Sequence, residues 1–124
     1  LLTEGCLESG RDFNDAGAIY DYYQVMDYFV YPSRYEGLPG TVVEAQTAGL
    51  RCLMSDTICE EVAVTELVTT MSIEKDPEAW ADFILQTEDY DRCSHLEEMQ
   101  QAGFDVNSQS GVMLNFYESG KWLF

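Results

Sequence analysis

The 124-residue sequence predicts an α/β fold, a parallel sheet with flanking helices, and three observations lead there. The first is a unit within 27–56, DYFVYPSRYEGLPGTVVEAQTAGLRCLMSD, that reads strand, loop, helix, strand. A unit of that size connects two parallel strands. The second is a further β-prone run, Val68 to Ile73. The third is a set of helical patterns gathered toward the C-terminus.

Residues 1–13 show little periodicity and read as a lead-in or a short strand. Asn14 or Asp15 supplies an N-cap for a helix over roughly 16–26, where Ile19, Tyr22, Tyr23 and Met26 form an i, i+3, i+4, i+7 stripe. Tyr28-Phe29-Val30-Tyr31 is a β-prone run, read as a buried strand and stopped by Pro32. Arg34 to Gly40, with Gly37, Pro39 and Gly40, is a loop. Thr41 to Ala48 is a helix with Gly49 as its C-terminal cap, and Cys52-Leu53-Met54 is a second buried strand.

Ile58 to Leu67 is expected to be a loop with a helical turn, followed by the strand at Val68–Ile73. Asp76-Pro77-Glu78 starts a helix with an N-cap, a proline at the first position and an acid in the first turn. Trp80, Phe83 and Ile84 mark its apolar face. Ser94 and Glu97 form a capping-box pattern for a helix ending at Gly103, with Leu96 and Met99 on its apolar side. A short helix from about Asn107 to Ser119 carries Val112, Leu114, Phe116 and Tyr117.

Val42, Val43, Ala45 and Ala48 make the central helix apolar nearly all round, so it is expected to be buried. Glu44 sits within it, and an ionised carboxylate there requires a partner. Helical side chains lean toward the N-terminus, so Glu44 is expected to point back to the loop holding Glu36. That places two carboxylates near one helix N-terminus at the carboxyl end of a parallel strand, where open α/β sheets bind ligands and phosphates are favoured.

Composition sets outer bounds. Apolar residues make up 46% of the chain, which suits one globular domain or part of one. Twenty-three acids against 6 bases give a net charge of −17, which disfavours nucleic acid and anionic membrane surfaces as partners. Cys6, Cys52, Cys59 and Cys93 have neither C-x-x-C nor zinc spacing, which predicts a reduced, cytoplasmic protein. No signal sequence or transmembrane segment is expected.

The motif Pro32-Ser33, Glu36-Gly37-Leu38-Pro39, Glu44-Ala45, Ala48-Gly49 and Ser55-Asp56 resembles retaining glycosyltransferases of the GT-B fold, family 4 type. The flanks MDYFVYPSRYEGLPGTVVEAQTAGL, SDTICEEV and AGFDVNSQSGVMLNFY resemble polysaccharide-forming bacterial members. The likeness runs from about residue 15 to the C-terminus. It implies a Rossmann-like, partial GT-B C-terminal domain spanning 1–124 that binds a nucleotide-diphosphate sugar, with the N-terminal acceptor half of the enzyme absent. It implies Glu36 as the catalytic carboxylate at the donor sugar, and backbone amides of Gly37 and Leu38 at sugar or diphosphate. Glu44 would hold the ribose hydroxyls, and Ser33, Pro39, Gly40 and Thr41 would complete the donor-binding set. No cofactor or metal beyond the sugar nucleotide is implied.

The sequence departs from the pattern in its cations, since no lysine precedes Lys75, and in Arg51, which follows A-G-L where proline is usual. Arg34 is expected to be a solvated loop cation and the single His95 a surface residue. Ser55-Asp56 reads equally as a strand end or as part of the site. Asp89-Tyr90-Asp91 spells D-x-D but lacks a preceding strand, and reads as a solvated charge run. The alternative function is a non-catalytic relic or an acidic protein-interaction domain on the same scaffold.

Overall fold

The structure is a computed structural model that describes residues 16–121, with side chains described from Ile19 onward. The expected lead-in and the N-cap at Asn14 or Asp15 lie outside the described residues. The elements are α1 (Ala16–Val25), β1 (Phe29–Tyr31), α2 (Gly40–Thr47), β2 (Cys52–Ser55), a 3-10 turn (Glu60–Val62), β3 (Val68–Met71), α3 (Pro77–Leu85), α4 (Leu96–Gln101) and α5 (Val106–Ser119). The sheet is parallel throughout, in the order β1-β2-β3. Phe29 lies opposite Cys52 and Tyr31 opposite Met54, while Cys52 lies opposite Val68 and Ser55 opposite Met71.

Burial follows from that order. All four residues of the central strand β2 are buried, as its continuous apolar run requires. The expectation of a buried first strand is corrected. Lying at one end of the described sheet, β1 turns Phe29 and Tyr31 toward the core and leaves Val30 exposed. The core joins Tyr23 of α1, Val42 and Ala45 of α2, Leu50, Cys52 and Met54, Ile58 and Val62, with Ile19, Met26 and Phe29 packed against it. Each large apolar side chain buried there stabilises the fold by about 1.5–3 kcal/mol. The helix α2 is therefore half-buried rather than buried all round: Val42, Ala45 and Gln46 face inward, while Val43, Glu44 and Ala48 are partly exposed.

The connection from α2 to β2 is built tightly. Gly49 takes φ +74°, the left-handed conformation that ends a helix, and its amide donates to Gln46 O at 2.8 Å. A Cβ on Gly49 would stand 2.0 Å from the Cys93 carbonyl oxygen, so a side chain is excluded there. Arg92 locks the same junction. Its guanidinium donates to Ala48 O at 3.0 Å, Met26 O at 3.0 Å, Gln24 O at 3.3 Å and Tyr23 O. One cation thus satisfies carbonyls around the C-terminal ends of α1 and α2, where a positive charge also suits the helix dipoles.

Of the C-terminal helices, α4 departs from expectation at its cap, while α5 lies within one residue of its expected range. No Ser94–Glu97 capping box forms. His95 occupies the N-cap of α4 without a side-chain cap, and Ser94 Oγ instead accepts from Leu96 N at 3.3 Å. The helix α5 has 14 residues, the longest of the described helices, and contains no buried residue. Leu114 and Tyr117 are exposed rather than packed. Asp105 caps it by accepting from Ser108 N at 2.9 Å. Among the described residues, no helix is long and apolar enough to cross a membrane.

Candidate functional site

The loops that follow β1, β2 and β3 meet at the carboxyl edge of the sheet. Ser55 Oγ and Thr57 Oγ1 both donate to the Ser33 carbonyl, the latter at 3.1 Å. Ser55 thus fixes the loop after β1 instead of merely ending a strand. Arg34 reaches across to Glu74 at 3.4 Å, with side chains 68% and 78% exposed, a weak tether between the first and third loops.

Glu36 is exposed on this loop but held in place. Ser33 Oγ donates to Glu36 Oε1 at 2.9 Å. The Tyr31 hydroxyl at the end of β1 also engages Glu36. Its pKa is raised first by burial and then by that carboxylate. Thr41 Oγ1 is shielded from solvent without a hydrogen bond of standard geometry, close enough to Tyr31 to oppose the shift. Tyr31 was legible only as a strand residue, so its role beside Glu36 emerges from the fold.

Pro39 is the N-cap of α2 and is buried; it provides no side-chain cap, so the helix begins with Gly40 and Thr41 behind the Glu36 loop. A helix start of this kind presents backbone N–H groups and a positive dipole end. Gly37 and Leu38 are exposed on the approach, and space is open around a Cβ at Gly37 and Gly40.

Glu44 has a different setting from the one expected. Its partner is the Tyr23 hydroxyl of α1, which donates to Glu44 Oε2 at 3.0 Å. Burial, and then that carboxylate, push the Tyr23 pKa well above the usual phenol value. Glu44 lines a cleft of about 590 Å³ with Tyr20, Gln24, Val43, Thr47, Ala48, Arg92, Cys93, Ser94, Leu96 and Phe104. Glu36 is not among that lining. The two carboxylates have separate partners, Ser33 for Glu36 and Tyr23 for Glu44.

The remaining candidates are sorted by their contacts. Arg51 is part of the framework: its guanidinium lies 4.0 Å from the centre of the Tyr90 ring and donates to Glu88 O. Tyr90, the middle residue of D-x-D, accepts from Arg51 N at 3.2 Å and donates to Gly49 O at 2.8 Å, while Asp89 and Asp91 face solvent. His95 is not a surface residue. Its side chain is 12% exposed and contacts Glu98 at 2.7 Å. Among the described residues, no group of three His, Cys, Asp or Glu side chains is placed to hold a metal ion.

Sequence reasoning also passed over Gln46. Fully buried, it donates to Val62 O at 2.7 Å and Val42 O at 3.2 Å, and accepts from Thr65 N at 3.1 Å and Thr65 Oγ1 at 3.0 Å. These bonds fix the inner face of α2 against the segment leading into β3.

The family description Glycosyl transferases group 1 matches residues 9–89, a span that contains the sheet, the Glu36 loop and α2. The chain belongs to this glycosyltransferase family. It is 39% identical over 103 residues to Putative glycosyltransferase EpsF of Bacillus subtilis (strain 168), covering 80% of this chain and 27% of that protein. It is 30% identical over 101 residues to the capsular polysaccharide biosynthesis glycosyltransferase CapH of Staphylococcus aureus, covering 80% of this chain and 28% of that protein. The chain thus spans little more than a quarter of the length of these relatives. No solved structure matches this glycosyltransferase chain significantly.

Proposed function

We propose that the chain is the donor-binding half of a retaining, GT-B, family 4 glycosyltransferase. In this reading it moves a sugar from a nucleotide-diphosphate sugar to a saccharide or related acceptor, with an N-terminal acceptor domain outside these 124 residues. The observation that carries it is the setting of Glu36. This carboxylate is aligned by Ser33 at the carboxyl edge of a parallel sheet, directly before the N-terminus of α2, which no side chain caps. The printed descriptions of the two relatives, both glycosyltransferases, support the same class.

Each residue then has a chemical task. Glu36 accepts from hydroxyls of the donor sugar close to the anomeric carbon. Amides of Gly37 and Leu38, and those of Gly40 and Thr41 behind Pro39, meet the diphosphate, aided by the helix dipole. Tyr23 occupies Glu44 Oε2, which leaves Oε1 to accept from ribose hydroxyls. Because Ser33 holds Glu36 beforehand, little ordering accompanies binding. Catalysis is positioning together with stabilisation of the departing nucleoside diphosphate.

Ligand-induced stabilisation tests the reading. At about ten times its Kd, a uridine or guanosine diphosphate sugar should stabilise the chain by about 1.4 kcal/mol, visible as a rise in Tm. Glu36→Gln and Glu44→Gln should each reduce that rise. An unchanged Tm at millimolar sugar nucleotide, or an equal rise in both variants, contradicts the proposal.

A further inference from the structure

Three side chains converge just before and within α4, away from the Glu36 loop. Cys93 is an exposed free thiol whose Sγ lies 3.7 Å from His95 Nε2. On the other side of the ring, His95 Nδ1 lies 2.7 Å from Glu98 Oε1. An ionised carboxylate can only accept, so Nδ1 carries a hydrogen and Nε2 is the nitrogen presented to the thiol. Nucleophile, base and orienting carboxylate stand in the order that activated thiols use.

The arrangement is anchored on both sides. His95 N donates to Thr47 O at 3.2 Å, and Ser94 Oγ donates to the same carbonyl at 3.3 Å. The Cys93 carbonyl packs against Gly49, where only glycine fits. Cys93 is among the residues lining the 590 Å³ cleft, together with the apolar Val43, Leu96 and Phe104. That volume accepts a small organic molecule.

We propose that Cys93 is an activated thiol that exchanges with small-molecule disulfides, with His95 as its base and Glu98 holding the imidazole. The thiol proton passes to His95 Nε2 as Sγ attacks one sulfur of the disulfide. The new Sγ–S bond forms, the original S–S bond breaks, and the departing thiolate takes the proton from His95 Nε2. A disulfide and a thiol enter; a mixed disulfide and a thiol leave. Glu44 lines the same cleft, so the adduct stands beside it. Any effect on donor binding rests on the reading above, whereas the exchange itself does not.

The test uses the chain with Cys6→Ser and dithiodipyridine, an uncharged disulfide, with labelling at each cysteine followed by peptide mass spectrometry. Cys59, also an exposed free thiol, is the internal reference. Cys93 should react about tenfold faster than Cys59 at neutral pH. His95→Gln should bring it to the Cys59 rate, and Glu98→Gln to a rate between the two. In denaturant, the unsubstituted Cys93 and Cys59 should react alike. Labelling of the buried Cys52 reports any variant that fails to fold, in which case Glu98→Gln carries the comparison. Equal native rates for Cys93 and Cys59, an advantage that survives His95→Gln, or one that persists in denaturant would overturn the proposal.

Discussion

Replacing Gln46 by Met keeps the length of a fully buried side chain and removes its four hydrogen bonds. The cost follows from what each partner retains. Val42 O keeps its helical donor. Val62 O still accepts from Val64 N at 3.0 Å. Thr65 Oγ1 still accepts from Leu67 N at 3.3 Å but loses the acceptor for its own hydrogen. Only Thr65 N is left wholly unpaired, at about 1–3 kcal/mol, with roughly 1 kcal/mol more for the hydroxyl and for the bond lost at Val62. Added apolar burial returns about 1 kcal/mol. The net loss is about 1–3 kcal/mol, a lowering of the urea midpoint by about 0.5–1.5 M at an m-value near 2 kcal/mol/M, followed by tryptophan fluorescence. Thr65→Val should cost far less in the Gln46→Met background than alone. A midpoint lowered by less than about 0.3 M, or additive effects of the two substitutions, would refute the reasoning.

Two further outcomes follow from the same packing. Gly49→Ala forces a side chain into a left-handed conformation and against the Cys93 carbonyl, so thermal denaturation should show a loss of about 2 kcal/mol or more. Tyr23 and Cys52 both have pKa values raised by burial, Cys52 from about 9 to about 12. A raised folded-state pKa contributes stability that is present below the unfolded value and lost as pH rises. Urea midpoints should therefore decline from about pH 9 upward, and Tyr23→Phe with Cys52→Ala should flatten that decline.

The strand–loop–helix–strand unit was legible because its signals are local. Pro32 ends a β run, Gly49 is needed where the chain leaves α2, and the apolar Cys52-Leu53-Met54 becomes the central strand. The partners of the carboxylates were not legible. Glu44 meets Tyr23 from 21 positions away, and the fold rather than spacing decides that contact. Arg92 caps carbonyls up to 69 residues distant, which no local pattern indicates. Gln46 drew no notice in the sequence, because the groups that satisfy both ends of its amide come largely from across the core. The span of α5 was legible to within one residue, whereas the exposure of Leu114 and Tyr117 was not. An apolar pattern shows where a helix could bury a face, and of the apolar residues of α5 only Val112 and Phe116 are partly buried.

The central claim, that the Glu36 loop and α2 together receive a nucleotide sugar, is tested most directly by amide chemical shifts during titration with a uridine or guanosine diphosphate sugar. The account predicts shifts concentrated at Gly37, Leu38, Gly40 and Thr41 that disappear in Glu44→Ala. Silence at these amides at millimolar ligand, or shifts that survive Glu44→Ala unchanged, would contradict it.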